Sequence, residues 1–114
     1  DAAIEKDRQR FAHAPLVIAV LAILDPDDVK IPAQERLLSA GAACFALLQA
    51  AQALGFGANW LTGWPAHDPK AHALLGMGEH ERVVGFVHIG TPKMEVPERE
   101  RPDASSLLTD WTPG

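Results

Sequence analysis

Two tryptophans flank a glycine turn in Trp60-Leu-Thr-Gly-Trp64. At a strand end, such a turn sets aromatic faces beside backbone N–H groups, which suits a flat heterocycle with polar edges. The competing reading is that the two large rings pack a core. The other reactive residue types are more thinly placed. His67, Asp68 and His72 have no second cluster to complete a metal shell, so no metal site is expected and the histidines read as surface residues. His88 falls on an apolar strand and reads as a core-edge histidine. Cys44 lies in an apolar helix and reads as packing. Ser105 and Ser106 have no histidine nearby in sequence to activate them. Gly55-Phe-Gly57 precedes a strand, whereas a dinucleotide loop must follow one, and Trp60 occupies the place of a third glycine. Gly55 reads instead as the positive-φ residue that ends a helix. No residue is assigned as catalytic.

The elements that position these residues follow from pattern. Residues 3–12 form a charged helix candidate with Ile4 and Phe11 on one face. The apolar run 15–24, rich in β-branched residues, reads as a strand buried on both faces. Asp25-Pro-Asp-Asp28 is a turn. A long helix runs over 33–54, with Pro32 suiting its start and Gly55 its stop. From Ala40 to Leu48 it carries no charge, and a helix apolar all round must be covered on all sides. In so small a chain, a second subunit is expected to cover one of them. A short strand follows over 58–62, then a helix over 68–75 with Asp68 as N-cap and Pro69 at its first position. The last strand spans 81–89, with Val83, Val87 and Ile89 on one face and Val84 and Phe86 on the other. Residues 1–92 make the core. Residues 93–114, punctuated by Pro97, Pro102 and Pro113, make an extended arm whose apolar anchors, Leu107, Leu108 and Trp111, come late. Such an arm is expected to wrap a partner.

Composition excludes several classes. The 114 residues are 47% hydrophobic and 22% charged, as in a globular domain. Net charge is −5 with no long basic cluster, which argues against nucleic acid. No apolar stretch is long enough to span a bilayer. A single cysteine fits a reduced, cytoplasmic setting. The chain opens at Asp1 on what reads as a helix already in progress, so it reads as the carboxy-terminal part of a longer protein.

Five segments in order carry a family resemblance: 14–20 (APLVIAV), 39–51 (SAGAACFALLQAA), 55–63 (GFGANWLTG), 83–92 (VVGFVHIGTP) and 101–111 (RPDASSLLTDW). Together the chain resembles the carboxy-terminal portion of the nitroreductase family of FMN-dependent oxidoreductases. The resemblance implies an α+β fold, a mostly antiparallel sheet flanked by helices, in an intertwined homodimer with an exchanged arm. Dimer contacts would run through helix 33–54 and arm 93–114. It implies electron transfer from NAD(P)H through FMN to a nitroaromatic, quinone or similar acceptor. Carried over by position, Trp60, Leu61, Thr62 and Gly63 would meet the FMN ring, residues 50–55 the nicotinamide cofactor, and Arg99 and Arg101 the FMN phosphate. Two departures stand out. The family's Arg-Arg-Ser-type phosphate motif has no counterpart here, and Leu61 stands where some relatives have arginine. This chain is therefore expected to hold FMN weakly or not at all. The alternative is a dimerisation module that has lost its cofactor.

Overall fold

The longest element shows why the chain folds as it does. In the computed structural model, which describes residues 1–114, helix α2 spans Ala33–Ala53 and ends at Leu54. Gly55 follows at φ 89°. The Phe56 N–H then reaches back to Ala51 O at 2.9 Å and the Gly55 N–H to Gln52 O at 3.0 Å. This paired bonding satisfies the last carbonyls of the helix and needs a residue free to enter the left-handed region. The expected glycine stop is therefore present, and it turns the chain directly into the next strand.

Before α2 come helix α1 (Ala2–Arg8) and strand β1 (Leu16–Ile23); after it come β2 (Gly57–Leu61), α3 (Pro69–Leu74) and β3 (Glu81–Gly90). The sheet order is β1-β3-β2, antiparallel throughout. The central strand, β3, is the best covered, with Val83, Gly85, Phe86 and Val87 buried. α2 packs across one face of the sheet, burying Cys44 and Ala51, which are seven residues apart on one side of the helix. On the other face Ala66, Val83 and Phe86 form a core joined by Val17, Ala19, Leu21 and Met77.

Three expectations need correcting. α1 ends at Arg8 rather than running to residue 12. The chain must turn toward β1, and Phe11 leaves the helix to pack edge-on against Phe86, with ring centroids 5.1 Å apart. β1 is not buried on both faces: it is an edge strand, and only Ala22 in it is buried. The faces of β3 are also reassigned, because the register jumps between Val20 and Leu21. Val20 pairs with Gly85 and Leu21 with Val83, so Val84 is an extra, bulged residue. A bulge shifts the two-residue alternation by one. Val83 thereby joins Phe86 on one face, and Val87 lies on the other.

Arg36, at the start of α2, secures the β1–α2 connection. Its guanidinium donates to the carbonyls of Ile23 (3.0 Å), Ile31 (3.1 Å) and Asp25 (3.1 Å). Five donors in a fixed fork suit this multiple capture.

The chain leaves much surface open. Its accessible area is 9237 Å², against about 6,100 Å² for a folded monomer of its mass. Only 9 of 114 residues are buried, which is thin for a free-standing core. Two features hold much of the excess. The outer side of α2 exposes Leu38 (64%) and Phe45 (57%). Residues 91–114 are exposed throughout, Trp111 at 84%.

Candidate functional site

β2 carries two different surfaces on adjacent residues. Trp60 pairs with Val87 and Leu61 with Phe86, so their side chains leave opposite faces of the sheet. Trp60 turns toward α2. Its indole lies over Gly85, where any Cβ would overlap the ring, and its tip comes within 3.7 Å of where a Cβ on Gly41 would stand. Two glycines, one on the strand and one on the helix, make the slot. The indole N–H donates to Val84 O at 3.1 Å. Val84 is the bulged residue, without a partner in β1, so its carbonyl is available. The Trp60 ring thus ties α2 to the sheet, and its polar edge is already satisfied.

Leu61 leads into the turn on the opposite face. Gly63 adopts φ 81°, in the left-handed region that disfavours other residues. The N–H groups of Thr62 and Gly63 donate to no group of the chain, because β2 pairing ends at Leu61. Leu61, Thr62 and Gly63 line a cleft of about 520 Å³, closed on its far side by Lys6, Arg10 and His13. Arg10 is held by Asp7 at 3.1 Å, and a Cβ on Gly63 would overlap its guanidinium. A neighbouring hollow continues along Asn59 and His88 to Thr91, Pro92 and Val96.

His88 sits between these parts. Its ring stacks on Phe11 at 5.7 Å, and its Nε2 is buried without a partner. Burial lowers its pKa, and the nearby Arg10 charge lowers it further, so the imidazole is neutral at pH 7. It is a half-buried histidine at the edge of the core.

Of the residues singled out by sequence, Leu61, Thr62 and Gly63 come together, and Trp60 supports them from behind. Arg99 and Arg101 do not line the cleft. They lie on the exposed arm, where Arg101 bonds Glu98 at 2.9 Å and holds that carboxyl below its usual range. Asp68 caps α3 by accepting from the N–H groups of Lys70 (2.7 Å) and Ala71 (3.2 Å). His72 Nε2 stands 2.8 Å from Ala66 O, which can only accept, so that nitrogen carries the proton. Cys44 is fully buried and its thiol pKa is raised by burial. Lys6, Arg10 and His13 were missed by sequence reasoning. Only Lys6 lies on α1; Arg10 and His13 follow its end in the turn toward β1, so no helical spacing joined them.

Free donors, a glycine only the turn tolerates, and an apolar wall at Leu61 fit one edge of a flat, oxygen-bearing ring.

The model of the nitroreductase family matches residues 2–91. The chain is 38% identical over 95 residues to the putative NAD(P)H nitroreductase YdjA of Escherichia coli K12, covering 83% of this chain and 51% of that protein. It is 43% identical over 93 residues to a putative NAD(P)H nitroreductase of Haemophilus influenzae, covering 81% and 50%. The chain thus spans about half the length of the curated relatives it matches. Its fold is shared with the crystal structure of a nitroreductase-like family protein from Bacillus cereus, at TM-score 0.77 and 21% identity, over 93% of this chain and 59% of that one. No helix is long and apolar enough to cross a membrane.

Proposed function

The chain belongs to the nitroreductase family, and from that membership we propose that it forms the flavin side of an FMN-dependent oxidoreductase passing electrons from NAD(P)H to a nitroaromatic, quinone or similar acceptor. One observation carries the reading: the turn 61–63 presents two unpaired N–H groups beside an apolar wall in an open cleft. FMN, when bound, supplies the hydride and electron chemistry, and the protein supplies orientation and electrostatics. Leu61 is the wall for the ring face. The Thr62 and Gly63 N–H groups donate to its polar edge. Trp60 fixes the turn by anchoring β2 to α2. In this reading Arg99 and Arg101 reach the phosphate when the arm is docked, and a single reduced thiol suits a cytoplasmic setting.

The same reading makes the molecule a homodimer through α2 and the arm. The exposed Leu38 and Phe45 and the uncovered arm support it. The excess surface, about 3,100 Å² per chain, is on the scale of obligate interfaces. A monomer in sedimentation equilibrium at micromolar concentration would refute the dimer.

Titration with FMN, followed by flavin fluorescence, tests the cofactor reading. Charge-assisted hydrogen bonds contribute about 1.5–3 kcal/mol each, and without the family's phosphate motif saturable binding weaker than micromolar is expected. Absence of binding at millimolar FMN would leave the chain as a dimerisation module.

A further inference from the structure

Residues 1–13 lie against the body of the protein without being bonded to it. Every hydrogen bond and ion pair they make stays within the segment, the Arg10–Asp7 pair included. α1 has no buried residue and packs on no other helix or strand. A helix of 7 residues is marginal without such packing. What seats the segment is Phe11. Its ring stands edge-on to Phe86, with centroids 5.1 Å apart, and stacks on His88 at 5.7 Å with the planes 17° apart. The seat is loose, because Phe11 is 40% exposed and borders an apolar cavity of about 270 Å³ shared with Val17, Leu74 and Leu75. Ring atoms that face a void have no partners on that side. Seated, the segment holds Lys6, Arg10 and His13 against the turn at Leu61–Gly63; unseated, it leaves the turn open to solvent.

His88 gives this seat a chemical control. Its Nε2 is buried with no hydrogen-bond partner, a state that costs an imidazolium far more than a neutral imidazole. No group around it would receive the added charge. The hollow it borders brings Arg10 and His13, both basic, and no carboxylate. Val17 and Asn59, its partners on β1 and β2, carry no charge, and neither do Thr91, Pro92 and Val96 beyond β3. Asp7 is taken up by Arg10. We propose that residues 1–13 are a lid over the Thr62–Gly63 turn, latched by Phe11 on His88 and released when His88 takes up a proton. Hydrating the imidazolium requires Phe11 to leave, and the rest of the segment, bonded to nothing else, leaves with it. The closed form disfavours the proton. It is therefore fully favoured above the open-form pKa of about 6.5 and loses ground as pH falls below that value. The lid governs access to the turn, whatever the turn binds.

Residue-resolved hydrogen exchange of the 114-residue chain tests this. The N–H groups of Arg10 and Ala12 donate inside the segment, to Asp7 O and Gln9 O, so their protection reports a seated lid. At pH 7.5 they should be protected, yet less than the amides of β3, because the lid opens without unfolding the sheet. Between pH 7.5 and 5.5 their protection, corrected for the intrinsic rate, should fall by up to about tenfold. Phe11→Ala should remove it at both pH values while β3 stays protected. His88→Phe, which keeps a ring under Phe11, should retain it at both. Arg10 and Ala12 amides that are unprotected at pH 7.5, or as protected as those of β3, overturn the lid. Protection that is unchanged at pH 5.5 overturns the release, as does a fall that persists in His88→Phe and so belongs to His13. Should either variant fail to fold, the wild-type pair of measurements decides on its own.

Discussion

The two sides of β2 solve opposite problems with neighbouring residues. On the α2 side the chain closes on itself: Trp60 lies in a slot made by Gly41 and Gly85, with its N–H on the bulge carbonyl of Val84. On the cleft side the chain stays open: the two N–H groups after Leu61 are unpaired, and basic rather than apolar side chains stand opposite. A ring with every polar atom satisfied holds a fold, whereas a turn with donors left over holds a ligand. One strand can do both because successive side chains leave opposite faces.

The comparison breaks most sharply at Trp60. Replacing it with alanine empties the slot between helix and sheet and loses the Val84 bond; with the ring 37% exposed, this should cost about 2 kcal/mol. That is a large part of the stability of a small domain. Leu61→Ala, one residue away on the open side, should cost about 1 kcal/mol or less. Urea midpoints of the two variants measure the difference, and equal losses would show that the faces do not divide as described.

Gly63→Ala sharpens the same division from the cleft side. Alanine at φ 81° pays about 1–2 kcal/mol of backbone strain. The Arg10 guanidinium can swing aside, so the overlap itself adds little to that cost. The expected result is modest destabilisation with a larger loss of FMN affinity, read from paired denaturation and fluorescence titrations. A variant that loses stability but keeps its FMN affinity would place the ligand elsewhere.

The smallest effect concerns pH. His88 has a lowered folded pKa, so the unfolded chain binds its proton first. Stability from this group is complete above the unfolded value of about 6.5 and falls as pH drops toward the folded value. Urea midpoints at pH 7.5 and 5.5 should show the fall in wild type and a smaller one in His88→Phe. Identical slopes would remove His88 from the account.

How much of this was legible in the sequence depends on whether the signal was local. The end of α2 at Gly55 and the cap of α3 at Asp68 were readable, since each is fixed by residues within a few positions. The bulge at Val84 was not, because it exists only in the pairing of β1 with β3, strands some sixty residues apart. One hidden residue then brought Val83 to the same face as Phe86. The site was half legible. Leu61, Thr62 and Gly63 stood out as a turn, but the basic side chains opposite them, Lys6, Arg10 and His13, are brought there by tertiary folding. Trp60 drew notice as a ring contact, and its side chain proves to be the brace behind the turn. Arg99 and Arg101 lie outside the cleft, in a segment that no part of its own chain buries.

Arg36 grips the β1–α2 connection through main-chain carbonyls alone, at Ile23, Asp25 and Ile31. Every residue supplies the same carbonyl, so this grip is blind to the side chains it encloses. Substitutions at residues 24, 26, 27, 29 and 30 should accumulate at little cost while position 36 stays arginine. The loop is thereby free to drift over evolutionary time at those positions, with Arg36 and the Asp25 and Asp28 carboxylates, which accept from the Asp27 and Lys30 N–H groups, preserving its path.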